Sequence, residues 1–278
     1  MTKTRITQIS LILAALVIFV LLFIAPRTHQ ADPASETAMM PKNAAAPADM
    51  ELFVKNAIAS LNTSGQKADY DLLVKQAEKN PAQGLDSLVK FWDKNRRPDM
   101  AAYFSEKIAS HLKTAAGWIK AGDRYYYSIQ FVKDISEVGA LYSKAMACYT
   151  EGLKLEPGNV DAKIQLASCY VDQSIDPMKG IAMLREVEKT DSNNVKLQMT
   201  FALFSVKSGQ FDKAIKRFEK VVRIDPSFIE AYLHMADAYD QMGDKAKTIE
   251  MLEKYESLTT DMFAKKEVRK SIEELKKR

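Results

Sequence analysis

The side chains able to do covalent or metal chemistry are few and scattered. Of three histidines, His29 follows a long apolar run, while His111 and His234 stand alone in helical stretches. None has a second His, a Cys or a paired carboxylate at the spacing a zinc or transition-metal site requires. The two cysteines, Cys148 and Cys169, lie outside any C-x-x-C pair and have no neighbouring His to activate a thiolate. They read as small buried hydrophobes, with a structural disulfide as the alternative in an oxidising compartment. The sequence holds no phosphate loop, no G-x-S-x-G elbow and no glycine-rich dinucleotide turn. Tyr125-Tyr126-Tyr127 could form a stacking platform, but core and groove packing explain the run more simply. The expectation is a protein that is not an enzyme, uses no cofactor or metal, and works through contact with other proteins.

The elements that would position such contacts are helical. Ten Gly and nine Pro in 278 residues are about half and two thirds of average usage. Ala, Leu, Lys, Glu, Met and Gln fill the space, and these favour helices. A strand-rich fold with many turns, a collagenous chain and a disordered chain are all disfavoured. The net charge is +4, from 40 basic and 36 acidic residues. Lys3, Arg5 and Arg27 lie in a first stretch without Asp or Glu, and the rest of the chain is close to neutral. It lacks the concentrated basic footprint of a nucleic-acid binder.

From Ile9 to Ala25 the chain reads ISLILAALVIFVLLFIA, with Ser10 the one polar residue. A helix of this length reaches ~26 Å, near the lower limit for crossing a bilayer. A signal peptide would need small residues three and one before its cut. The segment Ala25-Pro26-Arg27-Thr28-His29-Gln30-Ala31 offers Ala31 behind His29, a poor site, and no Cys follows for lipidation. A retained anchor over 1–28 is therefore expected. Lys3 and Arg5 before the run place its amino end in the cytoplasm and the body across the membrane, periplasmic in a Gram-negative cell. Residues 29–48, rich in Ala, Pro and small polar residues, read as a linker. Apolar spacing over 49–114 predicts three or four short helices, with Pro81 and Pro98 at their boundaries.

The strongest pattern begins at Trp118. Trp118, Ala121-Gly122, Tyr125, Ala145, Tyr149, Gly152 and Pro157 are followed by Leu166-Ala167, Tyr170, Gly180 and Leu184. Phe201-Ala202, Ala214, Phe218 and Pro226 come next, then Met235-Ala236, Tyr239, Gly243, Thr248 and Leu252. The spacing of 34 to 35 residues between the last three copies, and the residue types, resemble the tetratricopeptide repeat (TPR). The resemblance covers 115–260 as four units, 115–159, 160–194, 195–228 and 229–260, with 261–278 as a capping helix. It implies an all-α solenoid of helical hairpins, wound as a right-handed superhelix and preceded here by one transmembrane helix. Each hairpin cannot bury its apolar face alone, so neighbours stack. Small residues should mark the closest helix approaches: Gly122 with Ala145, Ala167 with Gly180, and Ala202 with Ala214. Between Tyr125 and Ala145 the first unit carries eleven extra residues, whose apolar period through Ile129, Val132, Ile135 and Val138 predicts a lengthened helical hairpin. One extra residue near Ile175-Asp176-Pro177 predicts a wider turn in the second unit.

The resemblance also implies a site. In TPR proteins the first helix of each unit lines a concave groove at its second, fifth, ninth, twelfth and thirteenth positions. Here the fifth positions are Ile119, Ile164, Met199 and Leu233. The ninth are Asp123, Ser168, Leu203 and Asp237, and the twelfth are Tyr126, Val171, Val206 and Asp240. TPR proteins that clamp a carboxylate use basic residues at such places, and Lys196 alone is read as one here. An apolar floor rimmed by Asp instead suits an amphipathic helix or extended apolar peptide. The amino-terminal helices or a second copy could cover the same groove. In outline the chain is similar to bacterial membrane-anchored TPR proteins and to a translocon subunit with one anchor and a periplasmic TPR body. A scaffold at the cell envelope is expected, with a holdase-like chaperone, or a binder of envelope polymer or lipid, as alternatives.

Overall fold

The computed structural model describes residues 50–61, 63–132 and 134–277. The expected membrane segment at 9–25 and the linker at 29–48 lie outside the described residues. Among the described residues no helix is long and apolar enough to cross a membrane.

All regular structure there is helical. Ahead of the repeat region come α1 (Met50–Ala59), α2 (Ser64–Lys79), α3 (Pro81–Lys94) and α4 (Pro98–Leu112). The first unit holds α5 (Ala115–Ser128), a 3-10 turn at Ile129–Phe131 and α6 (Ile135–Leu155). Then follow the pairs α7 (Val160–Asp172) with α8 (Pro177–Thr190), α9 (Val195–Lys207) with α10 (Phe211–Ile224), and α11 (Glu230–Gln241) with α12 (Lys245–Leu258). Helix α13 (Met262–Lys277) packs on α12. From α2 onward helices adjacent in sequence pack on one another, most closely within each hairpin, and α9 meets α7 as well as α8. This is an all-helical, TPR-like solenoid.

Local chemistry sets the helix ends. Thr114, Asn159 and Asn194 each accept a hydrogen bond from the backbone N–H three residues on, capping α5, α7 and α9. Pro81, Pro98 and Pro177 open α3, α4 and α8 at the first helical position, where a missing N–H costs nothing. The hairpin turns after α9 and α11 use Gly209 (φ 70°) and Gly243 (φ 75°). The turn after α7 is one residue wider and puts Ser174 at φ 56°, a left-handed conformation that costs a residue with a Cβ.

The extra residues of the first unit do not continue one helical period. α5 stops at Ser128, the chain tightens into the 3-10 turn, and the added length appears as an amino-terminal extension of the 21-residue α6. Val132 lies in the break, with extended backbone (φ −101°, ψ 136°), which corrects the uninterrupted period expected through it. Four clusters of buried side chains run along the repeats and the front helices. Trp92, Tyr125, Tyr149 and Phe218 are their largest fully buried members. In α13 the buried residue is Ile272, with Val268 and Leu275 half-buried. Met262 is 76% exposed beside Phe263 at 73%.

Candidate functional site

The inner helices α5, α7, α9 and α11 are positioned by close approaches to their partners. An added Cβ at Gly180 would meet the Ala167 carbonyl oxygen at 2.6 Å, so only glycine fits against α7. Ala202 and Ala214 are both fully buried in one cluster. In the first unit a Cβ on Gly122 would strike the Tyr149 ring at 2.8 Å, so the nearest group for which the glycine makes room is an aromatic ring.

The four fifth-position residues do not form one strip. Ile164 is fully buried at the junction of α7, α8 and α9, among Leu184, Leu197 and Phe201. It is core, because α7 lies against α9 and seals that face. Ile119 turns toward its own hairpin: a Cβ on Gly152 would sit 2.8 Å from its Cγ1. Met199 and Leu233 are half-buried, Met199 against the third-unit cluster. Among the ninth positions, Ser168 is buried and its hydroxyl donates to the Ile164 carbonyl at 3.0 Å. Leu203 is 43% exposed, and Asp123 and Asp237 are exposed. Of the twelfth positions Tyr126, Val171 and Val206 are half-buried, with Val171 covering Gly180, and Asp240 is exposed.

Polar groups tie these helices together. Tyr149 OH donates to Asp123 Oδ1 at 2.8 Å, and Tyr126 OH donates to Asp172 Oδ2 at 2.8 Å, across to the second unit. Asp172 also pairs with Lys207 of the third unit at 3.3 Å, and Asp161 pairs with Lys196 at 3.3 Å. The same register, one repeat apart, thus carries an Asp–Lys pair at both the second and thirteenth positions. Lys196 was expected as the single basic residue on this face. Lys207 is a second, and both are already paired. Burial, reinforced by Asp172, pushes the Tyr126 phenol well above its usual range, and burial first and Asp172 second push Tyr142 up to about 12.

Beside these ties lies an open pocket of about 490 Å³. α5 contributes Asp123, Tyr126 and Tyr127, and the 3-10 turn contributes Ile129 and Gln130. Tyr142 of α6 and Gln165 of α7 complete it. Tyr126 and Tyr142 meet edge to face at 6.0 Å, and Tyr127, 57% exposed, lies 5.1 Å from the Phe131 ring. The tyrosine run therefore divides: Tyr125 is core, Tyr126 is a tie, and Tyr127 is open. A second groove of about 460 Å³, between α3, α4 and α5, includes Val89, Ile108 and the exposed Leu112, with Arg124 bound to Asp93 at 3.0 Å. Neither Tyr142 nor Leu112 carries a sequence signal that separates it from core residues at helical spacing.

Cys148 and Cys169 are free and buried, each thiol pushed up to about 12 by burial first. Among the described residues no group of His, Cys, Asp and Glu is placed to hold a metal.

Comparison with solved structures fits this architecture. A tetratricopeptide repeat protein from Parabacteroides merdae superposes with a TM-score of 0.54 at 16% identity, over 80% of this chain and 84% of that one. The fold is that of a TPR-like helical repeat protein. YrrB, a TPR protein with an unusual peptide-binding site, aligns at 19% identity over 71% of this chain and 97% of its own, with a TM-score of 0.42. PilW, a type IV pilus biogenesis factor, aligns at 16% identity over 64% and 77%, with a TM-score of 0.48. The family described as regulator of microtubule dynamics protein 1-3 matches residues 188–278, the last third of the chain. No curated relative matches the sequence.

Proposed function

We propose that this protein is an interaction scaffold whose inner helices hold a segment of a partner protein, and that residues 9–25 anchor it in a bacterial cytoplasmic membrane with the repeats on the periplasmic side. One observation carries the first part. Leu203 stands 43% exposed on an inner helix, between half-buried Met199 and Val206, and next to the Asp161–Lys196 and Asp172–Lys207 pairs. A leucine held open on a rigid, ion-paired surface offers an anchor point for an apolar side chain. With Ile164 buried, no continuous apolar strip remains, which favours capture of one kind of segment over the holding of many unfolded clients. The anchor rests on the apolar run and on Lys3 and Arg5 before it.

A photo-crosslinker at Leu203 in the full chain should trap one dominant protein, and Leu203→Asp should release it without altering helicity. A broad smear of clients would favour the chaperone reading. Alkaline phosphatase fused after Arg278 should be active, and an inactive fusion would overturn the orientation. The match over 188–278 supplies a second reading, a scaffold for a cytoskeletal partner, which co-sedimentation with polymerised tubulin would test.

A further inference from the structure

We infer that the pocket bordered by the first unit's extra residues takes the guanidinium group of an arginine on the partner protein. This rests on the scaffold reading and adds the chemistry of the bound segment. Ile129, Gln130 and Tyr142 come from the stretch that interrupts the repeat period, so the other three units lack an equivalent wall. The site is therefore particular to one end of the groove.

Its chemistry is one-sided. Among the described residues the lining holds three tyrosines, two side-chain amides and one carboxylate, and no Lys or Arg. That carboxylate, Asp123, is exposed, and Tyr149 OH fixes one of its oxygens at 2.8 Å. No cation among the described residues lies within ion-pair distance of it, although Asp93, Asp161 and Asp172 each have one. Exposed tyrosine faces attract a cation through the ring quadrupole, and the planar guanidinium can stack there while its N–H fork reaches a carboxylate. Gln130 donates its amide N–H to the Tyr127 carbonyl at 3.1 Å, which leaves its own oxygen as an acceptor. Lysine satisfies the charge but neither the stacking nor the fork, so it should rank second.

The test uses the full chain in detergent micelles and dye-labelled blocked pentapeptides with a central arginine, lysine or citrulline between leucines. By fluorescence anisotropy the arginine peptide should bind at least tenfold more tightly than the citrulline peptide, its uncharged isostere, with lysine between them. Asp123→Asn keeps an oxygen for Tyr149 and should weaken the arginine peptide at least fivefold while leaving the citrulline peptide unchanged. Should that variant lose helicity, Tyr127→Ala, at a 57% exposed position, carries the same expectation. Equal binding of arginine and citrulline peptides, or full binding by both variants, overturns the proposal. If Leu203→Asp abolishes partner capture and Asp123→Asn does not, the arginine pocket fails and the scaffold stands. If neither variant affects capture, both fail.

Discussion

The first and third units share a register and solve the same packing problem differently. In the third unit the helices are joined by the tight turn at Ser208, Gly209 and Gln210, and Ala202 and Ala214 are buried in one cluster with Phe218. Beside the apolar junction around Ile164, its polar link to the second unit is ionic: Arg217 reaches Glu188, donates to Gln198 Oε1 at 2.7 Å and lies 4.6 Å over the Phe201 ring. The first unit replaces alanine with Gly122 and sets the Tyr149 ring against it. To the ion pairs Arg124–Asp93 and Lys144–Glu106 it adds phenol-to-carboxylate bonds: Tyr125 to Glu106 at 2.5 Å, Tyr126 to Asp172 and Tyr149 to Asp123. Where aromatic bulk enters a hairpin the phenol must find a polar partner, and one acceptor it selects is the exposed carboxylate of Asp123. The regular unit presents an open leucine instead. One positional code thus yields an acidic aromatic end and an apolar middle.

The widest gap should separate a sealed inner position from an open one. Ile164→Asp places an unpaired charge in the core and should cost more than ~4 kcal/mol, removing the cooperative melt. Leu203→Asp should shift stability by less than ~0.5 kcal/mol. Similar melting curves for the two would erase the distinction drawn between the second and third units.

Overpacking comes next. Gly122→Ala forces the buried Tyr149 ring to move, at ~1–3 kcal/mol, offset by about 1 kcal/mol of helix propensity. A net fall in urea midpoint is expected, and a rise would mean the ring yields freely. Tyr149→Phe removes a hydrogen bond to a charged acceptor and should cost ~1–2 kcal/mol, reduced because Asp123 is exposed.

The smallest effect is the most diagnostic of the two kinds of link. Burial, then the facing carboxylates, hold the Tyr125 and Tyr149 phenols well above 10.0, so the folded state keeps protons that the unfolded chain loses. Their contribution is complete below pH 10 and is lost as pH rises beyond it. Glu188 is held below 4.5, first by the hydrogen bond from Arg217. Its contribution is present above that value and is lost as pH falls through the lowered one. Hydrogen exchange in α9 and α10 should therefore lose protection in acid before α5 and α6 do. Glu188→Gln should abolish that acid slope at a cost of ~1 kcal/mol or less near neutrality. Above pH 10 the urea midpoint followed by tryptophan fluorescence should fall, since Trp92 and Trp118 both lie in or ahead of the first unit.

Short-range information could be read without the structure because it acts within a few residues. The recurrence of Ala121-Gly122, Leu166-Ala167, Phe201-Ala202 and Met235-Ala236 announced stacked hairpins, since small side chains are needed wherever two helix axes come close. Pro81 and Pro98 marked helix boundaries through the fixed φ of proline. What covers a side chain is a different matter. Ile119, Ile164, Met199 and Leu233 are equivalent along their own helices, yet one fills an inter-unit junction and another turns onto Gly152, because exposure depends on the neighbouring helix. The extra residues of the first unit have apolar spacing that reads as a lengthened helical hairpin. Only packing against α5 and α7 decided that the chain breaks at Val132, extends α6 and brings Tyr142 to face Tyr126. Periodicity along a chain specifies which face of a helix is apolar; the contact that buries or spares it belongs to the partner, many residues away.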